Sequence, residues 1–199
     1  VYTTLEAELE RHADHPIISL IYFPELNRKE KLAADLAYFY GENWQNLIVP
    51  NQAGSIYVNR IKEDSANNPA LLVAHAYVRY MGDLSGGQSL KNIAQSALDI
   101  PEDQGINFYE FDAFPSILDK RNFKETYRDR LNQLPLTADL IDVIIEEANY
   151  AFKLNRDVFH ELEPFVKEAI GDHVFDLITR QDKPGSTERN NSEQLTAVS

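Results

Sequence analysis

From Ala70 the chain carries one long helical pattern through Leu72, His75 and Val78 on to Leu98, yet Gly82, Gly86 and Gly87 fall inside it. Each glycine in a helix interior costs about 1 kcal/mol relative to alanine, so the three together cost about 3 kcal/mol. Two helices joined by a turn would explain the cluster. Against that, a connection ordinarily carries more polar residues, and Leu84 and the run Gln88-Ser89-Leu90 keep the helical phase. The other reading is a kinked helix whose backbone approaches something flat and bulky that side chains would strike. Asp83 and Ser85 would then set a carboxylate and a hydroxyl beside that ligand.

The rest of the chain reads as helices as well. Val1, Leu5 and Leu9 form a stripe that ends before His15-Pro16. That stripe starts with no initiator methionine and no cap, which predicts a segment upstream of Val1. Asn27 is expected to cap a helix to Tyr40, with Leu32, Leu36, Phe39 and Tyr40 inward and Gly41 as its stop. A further helix spans 51–63, with Ile56, Tyr57 and Ile61 on its apolar side, and Asn68-Pro69 is a start signal. Residues 101–118 read as irregular. Helices follow over 119–131, from Thr137 to about Glu163 with Leu140, Ile144, Ala148, Phe152 and Phe159, and from Phe165 to Arg180. No stretch alternates as a strand would. The pattern predicts an all-α, single-domain helical bundle over 1–180, and a polar, disordered tail over 181–199.

Charge narrows the partners. The 199 residues carry a net charge of -13, which argues against nucleic acid and against an anionic membrane surface. No apolar run is long enough to span a bilayer, and no signal peptide is legible. There is no cysteine, which removes disulfides and thiolate chemistry and fits a soluble cytoplasmic protein.

The run from Leu71 to Gly87, LLVAHAYVRYMGDLSGG, resembles the haem oxygenase signature nearly residue for residue. Three further blocks resemble that family: Tyr22-Phe23-Pro24-Glu25-Leu26, Ala37-Tyr38-Phe39-Tyr40-Gly41, and Phe123-Lys124-Glu125-Thr126-Tyr127-Arg128. The resemblance covers Val1 to about Arg180. It implies a haem-oxygenase-like bundle in which the glycine-kinked helix is the distal helix over the haem face. Gly82 and Gly86 would then let backbone meet the porphyrin, with Ser85 beside it. Asp83 would hold a water that passes a proton to the reacting oxygen. Tyr2, Tyr57, Arg79 and Asn155 match positions that complete this distal network. Lys124 and Arg128 fall on propionate-binding positions, and Tyr77 and Phe152 on haem contacts. From residue chemistry alone, a buried tyrosine fills a core as readily, and Lys124 with Arg128 reads as a solvated basic face.

The resemblance implies oxidative cleavage of haem to biliverdin, carbon monoxide and ferrous iron, with haem as substrate and cofactor. Electrons would come from an acidic ferredoxin, docking near Lys120 to Arg130, as in soluble bacterial and photosynthetic-lineage members. The family binds iron through a histidine near the N-terminus, and the equivalent helix would precede Val1. None of His12, His15, His75, His160 and His173 is therefore assigned as a metal ligand. That keeps open a second reading, a non-enzymatic haem carrier or sensor on the same fold. A di-iron bundle would need paired Glu-x-x-His motifs, and only Asp157-x-x-His160 comes near.

Overall fold

The computed structural model describes residues 1–98, 100, 101 and 104–179. Every regular element among them is helical: α1 (Tyr2–Arg11), α2 (Ile18–Ile21), α3 (Lys29–Tyr40), α4 (Trp44–Leu47), α5 (Gln52–Asn67), α6 (Leu72–Ala76), α7 (Gly82–Ser85), α8 (Gly87–Leu98), α9 (Ile117–Asn132), α10 (Ala138–Ile170) and α11 (Asp172–Thr179). The fold is all-α, as the periodicity predicts. By internal contacts the chain divides into a large unit, Val1–Arg156, and a second unit that begins at Asp157. The tail expected from residue 181 lies outside the described residues.

The predicted stripes contribute Leu5, Leu9, Ile61 and Leu72 to the core of the large unit. Leu5 and Leu9 of α1, Ile18 and Ile21 of α2, Ile61 of α5 and Leu72 of α6 are buried together with Leu26, Tyr80, Phe111 and Tyr127. Asn51 caps α5, its side chain accepting from Gly54 N at 2.9 Å. The start of α3 is solved differently from the expectation. No side-chain cap comes from Asn27; Glu6 on α1 accepts from the amides of Arg28 and Lys29, the latter at 3.1 Å. A carboxylate at a helix N-terminus serves as well as a local cap, and this one also ties α1 to α3.

The irregular stretch after α8 is anchored by two buried charged residues. Asp35 accepts from the backbone amides of Asn107 and Phe108, each at 2.8 Å. The Arg28 guanidinium donates to the Leu26 and Phe108 carbonyls at 2.9 and 3.2 Å and sits 3.8 Å over the Phe111 ring. These contacts deliver Phe108 edge-on to Tyr2, with ring centroids 5.4 Å apart.

Several side-chain expectations are corrected. Phe39 and Tyr40 are 46% and 55% exposed, because the buried stripe of α3 runs through Asp35 instead. Ile56 and Phe159 are also exposed. Helix α10 does not end near Glu163. It continues through Pro164 to Ile170, and Gly171, at φ +80°, provides the stop. Here proline costs one backbone hydrogen bond without ending the helix, whereas the left-handed glycine terminates it.

Leu5 of α1 is fully buried in the core. Leu5→Ala is expected to lower stability by about 2–5 kcal/mol in urea unfolding. Ile117→Ala, at a position 86% exposed, should change it by less than about 0.5 kcal/mol.

Candidate active site

Helix α6 gives way at Tyr77 to a single wide π turn, Tyr77–Met81, before α7 begins at Gly82. Such turns are rare and recur at functional sites. The interruption thus starts five residues before the first glycine, and no glycine, proline or other punctuating residue announces it. The glycines that follow are of two kinds. Gly82 and Gly86 have right-handed torsions, φ -62° and -82°, so neither is needed for backbone conformation. A methyl group on Gly82 would meet nothing within 4 Å, and one on Gly86 only the Gly82 carbonyl at 3.7 Å. With Ser85 they share one exposed helix face, a strip of bare backbone that the packing of the described residues does not require. Gly87 is different: a methyl group there would press on the Tyr109 ring at 3.3 Å.

Behind this strip lies a chain of polar contacts. The Tyr2 hydroxyl donates to Asp83 Oδ2 at 2.6 Å and accepts from Arg79 Nε at 3.0 Å and Nη2 at 2.6 Å. Arg79 Nη1 in turn donates to Asn155 Oδ1. Asp83 Oδ1 lies 3.9 Å from Arg79 Nη2, an ion pair beyond hydrogen-bond reach. Four of the sequence-predicted residues, from α1, the π turn, α7 and α10, are therefore one network. The fifth, Tyr57 on α5, is buried, and its hydroxyl has no partner among the described residues. Burial pushes that phenol up to about 12. Burial also raises the Asp83 carboxyl, against the opposing pull of Arg79 and the Tyr2 hydrogen bond.

The remaining predicted residues border the strip less tightly. Lys124 Nζ on α9 reaches Ser85 Oγ at 3.5 Å, and Arg128, one turn on, is exposed. Tyr77 and Phe152 are large aromatics left 39% and 54% exposed. The histidines are engaged elsewhere or face outward. His12 Nε2 lies 3.0 Å from Ser65 Oγ, His15 Nδ1 accepts from Ile17 N, and His160 and His173 are exposed. His75 is fully buried between two carboxylates, Asp64 and Glu147. That cluster escaped sequence reading, since its members are 11 and 72 residues apart on three helices.

Asp83 has a stability signature. Its folded pKa lies above its unfolded value, so folding favours the protonated acid. The stability it contributes is present below the unfolded carboxylate range and is lost as pH rises through the folded titration. Asp83→Asn, which keeps an acceptor for Tyr2, should raise the thermal midpoint at pH 7, with the gain vanishing below about pH 3. A gain that does not depend on pH would contradict this.

The chain is similar to known proteins over most of its length. The sequence profile of the heme oxygenase family matches residues 1–161. The chain is 61% identical to heme oxygenase 2 of Synechocystis sp. over 188 residues, covering 94% of this chain and 75% of that protein. It superposes on the crystal structure of heme oxygenase-2 from Synechocystis sp. in complex with heme and NO with a TM-score of 0.90 at 61% identity, over 94% of this chain and 77% of that one. Heme oxygenase-1 from the same cyanobacterium, in complex with heme, gives a TM-score of 0.82 at 47% identity, over 89% and 79% of the two chains. With a bare glycine strip over a buried carboxylate network, and a family match across most of its length, this chain belongs to the heme oxygenase family.

Proposed function

We propose that the protein cleaves haem oxidatively to biliverdin, carbon monoxide and ferrous iron, drawing electrons from a ferredoxin-type donor. The observation that carries this reading is the open strip at Gly82 and Gly86, which lacks side chains beside a buried, hydrogen-bonded carboxylate. Bound haem would supply both the iron that activates dioxygen and the ring that is opened. A flat macrocycle fits a face where neither backbone torsion nor internal packing demands glycine. Like many cofactor sites, the strip pairs an open apolar surface with few polar groups.

The chain's own residues would hold and move the proton. Tyr2 occupies Asp83 Oδ2, leaving Oδ1 to hold a water beside the strip. Arg79, fixed between Tyr2 and Asn155, keeps the carboxylate aimed and balances its charge. Tyr57, whose buried hydroxyl has no partner among the described residues, would donate to a second water. A carboxylate acting through water delivers a proton more gently than an acid in direct contact. Lys124 and Arg128, one turn apart on α9, present two cations for the two propionates, with Ser85 beside Lys124. Tyr77 and Phe152 offer exposed rings for apolar contact with the macrocycle.

An acidic ferredoxin would meet the cations of α9 between Lys120 and Arg130. Arg121 there is exposed, although it pairs with Glu125 at 3.3 Å. Among the described residues no helix is long and apolar enough to cross a membrane. With no cysteine in the chain, the cytoplasm is the compartment we propose.

The test is direct. Asp83→Ala should still bind haem but lose about 100-fold or more of its biliverdin formation, followed by visible absorption in the presence of dioxygen and a reductant. Wild-type turnover in that variant would remove Asp83 from the mechanism. A wild-type haem spectrum that never bleaches would instead favour a carrier.

A further inference from the structure

Two helical segments hold the Arg79 end of the Asp83 network, α6 with its π turn (Arg79) and α10 (Asn155), and α5 brings the buried Tyr57 beside them. The same three segments meet a second time close by. Asp64 lies about two turns beyond Tyr57, His75 one turn before Arg79, and Glu147 about two turns before Asn155. All three are buried. His75 Nε2 is 2.8 Å from Asp64 Oδ2 and 3.4 Å from Glu147 Oε1. Both neighbours are carboxylate oxygens, which only accept, so this nitrogen carries the hydrogen. Nδ1 has no partner among the described residues, and the ring's orientation therefore rests on Nε2.

Arg60 closes the cluster from α5. Its Nε and Nη2 reach Glu147 Oε1 and Oε2 at 3.1 and 2.5 Å, Nη2 is 3.2 Å from Asp64 Oδ1, and Nη1 bonds Glu63 at 3.1 Å. One ligand atom each from Asp64, His75 and Glu147 lie within 4.8 Å of one another. A metal ion would accept that spacing, but Arg60 already provides the cation. Tyr57 packs its ring 5.6 Å from the His75 ring, which couples the cluster to the site.

We propose that Arg60, Asp64, His75 and Glu147 form a clasp that sets the Asp83 network in register, with His75 as its positioning residue. The proposal rests on the role given above to Asp83. Between His75 and Arg79 the helix widens into the π turn, so the normal hydrogen-bond ladder does not by itself fix where the guanidinium lies. The clasp supplies that constraint by fixing the turn before Arg79 to both neighbouring helices through bonds that break only by stranding buried charge.

The test reads Asp83 in the haem-free protein. Asp64→Asn and Glu147→Gln each keep side-chain size and remove a charge, and the Asp83 carboxyl is titrated by ¹³C NMR. Removing a negative charge would by itself lower the Asp83 midpoint. Displacing Arg79 from Asp83 raises it, so an upward shift is the expected result. With haem, kcat should fall about tenfold with KM within about twofold. His75→Gln, which restores an N–H toward Asp64, should recover most of what His75→Leu loses. A lower melting temperature with an unmoved or lowered Asp83 midpoint overturns the proposal, and Asp64→Asn alone decides it if Glu147→Gln does not fold. The titration needs no haem: a shifted midpoint in a protein that forms no biliverdin would sink the functional reading while leaving the clasp standing.

Discussion

The site turns on one phenol. Tyr2 accepts two N–H groups from Arg79 and gives its own hydrogen to Asp83, and all three groups lie where water is largely excluded. An isolated carboxylate there would be costly, and an isolated guanidinium equally so. Linked through the phenol they satisfy each other without direct contact, the charges remaining 3.9 Å apart. That spacing leaves one carboxylate oxygen uncommitted, which is what a proton-delivering group needs. Tyr2 opens α1, the same helix whose Leu5 and Leu9 enter the core and whose Glu6 starts α3, so the network is secured by the packing that folds the chain.

Much of this was legible in the residues. The helical periods, the glycine cluster and the i,i+4 pairing of Arg79 with Asp83 all follow from local spacing, and local spacing survives folding. Tyr2 and Asn155 entered through family resemblance; nothing in their immediate sequence says that they share one guanidinium. The π turn was not legible, because Tyr77 to Met81 contains no residue that forbids an α-helix. The Asp64, His75 and Glu147 cluster was missed for another reason. Ion pairs between distant helices leave no periodic trace, and a histidine amid Ala74 and Ala76 reads as packing.

The misplacement of Phe39 and Tyr40 has a physical cause. Phe39 and Tyr40 were expected inward because they are apolar, but the buried face of α3 belongs to Asp35, whose carboxylate holds the backbone of Asn107 and Phe108. Buried polar groups with several partners outcompete apolar ones for position when they organise a loop. The same holds at Arg28, buried among backbone carbonyls.

The central claim is that the strip at Gly82 and Gly86 is bare because haem lies on it. A Cβ at the exposed Gly82 would meet nothing within 4 Å, so Gly82→Leu should leave the protein folded and even stabilise α7 by about 0.8 kcal/mol. Haem titration followed by Soret absorbance, on the wild type and this variant of the full-length protein, is the direct measurement. The account predicts saturable binding by the wild type and affinity weakened tenfold or more in Gly82→Leu at an unchanged or higher melting temperature. Equal affinity in the two proteins would contradict it.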